Sequence, residues 1–149
     1  MLTALQFKSG KIDFAVSVRV GGSVFSVPKK DSNKLRKIWN GAAVSSACVA
    51  PPAPPNLLSP SSLLHLETTP ENPYPLLKRD VRCFFDELRA HDCIRPRFGR
   101  PPVQARDVIA TGVVSLDDIR RPRPALSSIS GDSLLFPRSA VWPMDFAWS

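Results

Sequence analysis

VFSVPKKDSNKLRKI, residues 24–38, is the stretch on which the fold turns. Val24 and Val27 alternate with polar residues, and Leu35, Ile38 and Trp39 supply a second apolar run after a polar interval. Asp31, Ser32 and Asn33 between them carry turn chemistry, because short polar side chains bond back to the local backbone. The spacing predicts two strands over 23–40 joined by a basic tip. Such a hairpin brings Lys29, Lys30 and Arg36 to one face. A compact ammonium beside a forked guanidinium suits a triphosphate. Taken alone, the run also fits a solvated, lysine-rich turn.

Upstream, residues 12–27 alternate apolar and polar through Phe14, Val16, Val18, Val20 and Val24. Gly21-Gly22 between the runs reads as a hairpin turn. Charge is concentrated in the same region. Residues 1–40 hold eight bases and two acids, whereas residues 101–149 hold five of each. A basic segment beside a near-neutral body is expected of a chain that meets phosphate, in a nucleotide or a polynucleotide.

Downstream, residues 51–75 contain eight prolines and only two charges, Glu67 and Glu71. They are expected to run extended as a connection, with a short helix at 61–67. Next, YPLLKRDVRCFFDELRAH (residues 74–91) places Val81, Phe84, Phe85 and Leu88 at helical spacing. That pattern predicts a strand ending near 80–82 and a helix over 84–91. Residues 105–110 and 116–120 are expected to be helical. RFGRP and RRPRP are basic loops able to reach a nucleic-acid backbone. The end, LLFPRSAVWPMDFAWS, is aromatic and apolar, as in a chain cut through a domain.

In this order the segments resemble a reverse transcriptase (RNA-directed DNA polymerase) domain of a retroelement. The resemblance runs over roughly residues 14–149. It implies that Lys29, Lys30 and Arg36 belong to a fingers hairpin that grips the incoming nucleotide's phosphates, with Leu35 where an aromatic is frequent. LLKRDVRCFFDELR is similar to the palm segment in which a strand delivers a metal-binding aspartate. Asp80 then falls on the Mg²⁺ carboxylate and Val81 on the supporting backbone carbonyl. Phe85 falls on the bulky gate that excludes a ribose 2′-hydroxyl. WPMDFAWS is similar to a later palm motif that packs on template and nucleotide, which adds Met144 to the nucleotide-binding set. Met144 stands where an amide is usual, and Asp145 where glycine allows close approach. The paired aspartates that complete a two-metal site do not follow. Asp117-Asp118 comes too early in the order and lacks a flanking apolar hairpin.

The resemblance implies an α+β fold, a partial fingers and palm unit, in a single incomplete domain over 1–149. Within it, 12–40 is the hairpin, 41–73 the connection and 74–149 the partial palm. The implied function is ancestral template-directed DNA synthesis, inactive in this chain alone, with RNA or DNA template-primer and deoxynucleotides as partners. Two other classes remain open: a non-catalytic basic nucleic-acid-binding module, and a largely disordered proline-rich interaction protein.

Other chemistry finds little footing. Neither a P-loop nor a dinucleotide fingerprint occurs, and no nucleophile elbow. Cys83, His91, Cys93 and His65 fit no common zinc spacing. Three cysteines without a C-x-x-C pair favour a reducing compartment, nuclear or cytoplasmic rather than secreted. No apolar run reaches the ~18 residues of a membrane span. Sixteen prolines in 149 residues, about twice the usual share, exclude long helices over much of the chain.

Overall fold

The structure, a computed structural model, describes residues 1–30, 33–50, 52, 61, 67, 69–73, 75 and 84–143. The matched residues Asp80, Val81 and Met144 lie outside these, as do Cys83, His65 and most of the 61–67 helix expectation. The described residues form an α+β fold with antiparallel sheets.

Helix α1 (Leu2–Lys8) turns through Gly10, which has a positive φ of 72°, into strand β1 (Ile12–Ala15). β1 does not pair with the next strand. It lies against the distant β5 (Leu134–Ser139), with Ile12 opposite Ser139 and Phe14 opposite Pro137. The short β4 (Val103–Gln104) pairs with Leu134 and Leu135, so β5 is the centre of a three-stranded sheet. Ile12, Phe14 and Leu135 are fully buried, together with residues of α4 (Ala105–Ile109) and α5 (Leu116–Arg120). The two helices fall within the expected 105–110 and 116–120. Ser115 starts α5 with a capping box: its Oγ accepts from the Asp118 amide, and the Asp118 carboxylate accepts from the Ser115 amide.

The expected hairpin over 23–40 is present. β2 (Ser23–Pro28) and β3 (Leu35–Asn40) pair antiparallel, with Val27 opposite Arg36 and Phe25 opposite Ile38. The Lys29 amide donates to the Lys34 carbonyl at 2.9 Å. Cross-strand partners share a face, and successive residues alternate. Val24, Trp39 and Lys37 therefore turn to the body, while Phe25, Ile38 and Arg36 turn outward. Trp39 is the anchor of the inner face. Its Nε1 donates to the Gly99 carbonyl at 2.9 Å, and its ring meets Phe98 edge-on at 5.8 Å. Phe98 in turn packs against Trp142, and with Val44 of α2 (Ala42–Ser46) and Ala90 these residues form a second core.

Two expectations are corrected here. Gly21-Gly22 is not a hairpin turn: Gly21 bridges Gly99 in parallel and the Gly22 amide donates to the Gly99 carbonyl. The approach is close, since a Cβ on Gly99 would stand 2.7 Å from the Val20 carbonyl oxygen. Alternation over 12–20 thus belongs to a strand that ends at Ala15, followed by a segment held by the 96–99 loop. The helix expected over 84–91 is only α3 (Phe84–Glu87). Beyond it the chain is drawn out beside residues 140–142, where the Leu88 carbonyl accepts from Trp142 and the Ala90 amide donates to Ala140. Intersegment pairing of the backbone outweighs a fourth-residue apolar pattern there.

Candidate phosphate-binding surfaces

Strand alternation decides which basic residues act together. Arg36 lies on the outer face of β3, and Lys29, two residues past Val27, continues that face. Lys29, Lys30 and Arg36 are all exposed, and none makes an ion pair among the described residues. Beside Arg36 the same face carries Phe25, which is 46% exposed, and Ile38. At the Asn40 end of β3 a groove of about 460 Å³ is lined by Phe25, Ile38, Trp39, Gly41, Ala42 and Ser45, with Lys29, Lys30 and Arg36 outside it. Basic groups next to an exposed aromatic ring can hold a backbone phosphate and stack a base.

The opposite face of β3 presents Lys37, which sequence reasoning did not single out. Its Nζ donates to Gln6 Oε1 on α1. Arg100 Nη1 donates to the same oxygen at 2.7 Å, and Arg100 Nη2 to Ser139 Oγ at 3.0 Å. Arg100 Nε is buried without a hydrogen-bond partner among the described residues. Burial, reinforced by the Arg100 charge, lowers the Lys37 ammonium from 10.5 to about 8. Burial likewise lowers the Arg100 guanidinium to about 10. Two cations thus share one neutral acceptor. The alternation of β3 already separates Lys37 from Arg36, but its partners come from α1 and the 99–102 loop, far away in sequence.

Phe85, the matched gate residue, is half-buried on α3, its ring meeting Phe84 at 5.5 Å. The α3 segment is tied to the α1–β1 turn. Lys11 Nζ and the Asp86 carboxylate pair at 2.5 Å, and Arg89 Nη1 donates to the Gly10 carbonyl. The hairpin, through Lys37 on Gln6, and α3, through Asp86 on Lys11, are therefore both fastened to residues 6–11.

Of the five arginines in RFGRP and RRPRP, Arg100, Arg120 and Arg123 bond within the fold. Arg138 of β5 grips Asp13 of β1 with Nε on Oδ1 at 2.8 Å and Nη2 on Oδ2 at 2.9 Å. Arg123 of RRPRP reaches the same carboxylate at 2.6 Å, and Arg95 at 3.3 Å. Arg120 donates to the Ile129 carbonyl. Arg97 and Arg121 remain exposed. A shallow cleft of about 340 Å³ above this cluster is lined by Arg19, Arg123, Arg138, Val18 and Pro96.

The acidic candidates have local roles. Asp118 is held below the usual carboxylate range by hydrogen bonds from the Ser115 backbone and side chain. Asp117 lies 3.8 Å from Arg120 on the exposed side of α5. His91 Nδ1 and Cys93 Sγ are in contact at 3.0 Å. Among the described residues no three His, Cys, Asp or Glu side chains converge as a metal site, and no helix is long and apolar enough to cross a membrane. Comparison with known protein families, curated proteins and solved structures finds no match for this chain.

Proposed function

We propose that this chain is a retroelement-derived reverse-transcriptase-like unit that binds nucleic acid and nucleotide phosphates through the β2–β3 hairpin, without polymerising by itself. One relationship carries the reading. The hairpin bearing Lys29, Lys30 and Arg36, and α3, which follows the Asp80 match by four residues, are both docked on residues 6–11. This reading requires a fingers-like grip on phosphates and a palm-like carboxylate to stand near a common point; the shared mount on one short segment supports it, although Lys29 and Arg36 lie on the hairpin face away from Lys37. In this reading Lys29 and Arg36 take the triphosphate, Lys30 adds to the field at the tip, and Phe85 and Met144 line the nucleotide. Asp80, with the Val81 carbonyl, is the ancestral Mg²⁺ ligand. The metal when bound would neutralise phosphate charge.

A second reading is favoured by a different observation, the exposed Phe25 and Ile38 next to Arg36. It makes the hairpin a sequence-indifferent single-strand-binding surface, with no nucleotide pocket. Fluorescence anisotropy with a labelled single-stranded oligonucleotide separates the two. Both readings require binding that weakens steeply with salt. Only the first requires that an added deoxynucleoside triphosphate with Mg²⁺ alter the affinity for a primer-template, and that Lys29→Ala and Arg36→Ala remove this effect.

A further inference from the structure

We propose that Gln6, Lys37, Arg100 and Ser139 form an oxyanion site on the inner face of the hairpin, in which Gln6 Oε1 occupies the position of a phosphate oxygen. Lys37 Nζ and Arg100 Nη1 both donate to that one amide oxygen, and Ser139 Oγ accepts the other guanidinium nitrogen. No carboxylate pairs with either cation among the described residues. Buried cations are normally paired, because removing charge from water without a counter-charge costs several kcal/mol. Arg100 Nε is buried and has no acceptor among the described residues. An ammonium and one guanidinium nitrogen converge on a single acceptor, which is how a phosphate oxygen is held by a lysine and an arginine together. The Gln6 side chain is half-buried and sits on the short helix α1, so its amide can rotate outward and release the position.

The site is separate from the proposed grip at the hairpin tip, because Arg36 and Lys37 are consecutive in β3 and face opposite sides. It does not rest on the reverse-transcriptase-like reading. The ligand chemistry is a phosphate oxyanion, whether inorganic or part of a nucleic-acid backbone.

The test uses the full chain at pH 7. Inorganic phosphate, or a short single-stranded oligodeoxynucleotide, is titrated at constant ionic strength while the Gln6 side-chain amide is followed by NMR. Thermal unfolding is recorded in parallel. The expected result is a saturable shift of the Gln6 amide and a higher midpoint, with affinity reduced at least about tenfold in Lys37→Met. Gln6→Glu supplies the missing anion internally, so its midpoint should exceed that of wild type without ligand and phosphate should no longer raise it. In Lys29→Ala with Arg36→Ala the Gln6 amide should still shift with inorganic phosphate, since those side chains lie on the other face of β3. A response to the oligonucleotide alone assigns the site to a polymer backbone, and a response to both assigns it to phosphate in general. The proposal is overturned if neither probe moves the Gln6 amide, or if Gln6→Glu lowers the midpoint. An equal response from wild type, Gln6→Glu and Lys37→Met overturns it too.

Discussion

Asp13 and Arg138 stand directly opposite each other across the β1–β5 ladder and are joined by two hydrogen bonds, one to each carboxylate oxygen. The pair couples strands 125 residues apart in the chain. Arg95 and Arg123 close on the same carboxylate, which pins the 95–97 turn and the loop after α5 to the sheet. Asp13 is therefore the knot of the outer sheet face, as Phe14 and Ile12 are of the inner one.

Removing that carboxylate strands the buried Arg138 guanidinium, while Arg95 and Arg123 keep the Asp92 carboxylate at 2.6 and 3.7 Å. Asp13→Ala should cost about 3 kcal/mol or more, the scale for breaking a buried pair from one side. Urea unfolding followed by circular dichroism measures it. Restoring much of the loss by adding Arg138→Met would confirm that the penalty is the stranded charge rather than lost packing.

Trp39 makes a similar prediction for the hairpin. Trp39→Ala removes a buried indole and its bond to Gly99, at a cost of about 3–5 kcal/mol. Gly41→Ala should also destabilise, since a Cβ there would meet the Trp39 ring at 1.9 Å. Tryptophan fluorescence in denaturant reports both. In each case amide exchange should accelerate in 23–40 before it does in β1 and β5.

Lys37 gives stability a pH dependence of known sign. Its ammonium titrates at about 8 in the folded protein and near 10.5 when unfolded. Below pH 8 both states are protonated, and folding bears the whole burden of burying the cation. Between about 8 and 10.5 the unfolded chain binds more protons, so stability rises with pH. Lys37→Met should therefore be more stable than wild type at pH 7, with the difference shrinking toward pH 10. Differential scanning calorimetry at pH 7, 8.5 and 9.5 measures this, and a difference that grows with pH would contradict it.

The capping box acts with the same sign, in an acidic window. Asp118 has a lowered folded-state pKa, so its contribution is present above the ordinary carboxylate range and is lost as pH falls through the lowered value. Ser115→Ala should remove that dependence and fray α5, which amide exchange of residues 116–120 will register.

What could be read from the sequence was what local chemistry decides. The 23–40 hairpin follows from alternation on both sides of a polar turn, and α5 is the helix expected at 116–120. β5 was hidden by Pro137, which reads as a breaker because it has no amide proton. In the folded chain its carbonyl still accepts from the Arg100 amide at 2.9 Å. Gly21-Gly22 misled because the partner of β1 lies at the far end of the chain, and no local signal records that register. Of the candidate site, the tip residues Lys29, Lys30 and Arg36 were legible. Lys37 and Arg100 were not, because their meeting at Gln6 depends on three separate segments.

The hairpin's hold on phosphate is measured most directly by the salt dependence of single-stranded oligonucleotide binding, for wild type and for Lys29→Ala combined with Arg36→Ala. The account predicts a log–log slope shallower by about 1 to 2 in the double variant, with weaker binding at every salt concentration and an unchanged thermal midpoint. Identical slopes and affinities in the two proteins would contradict it.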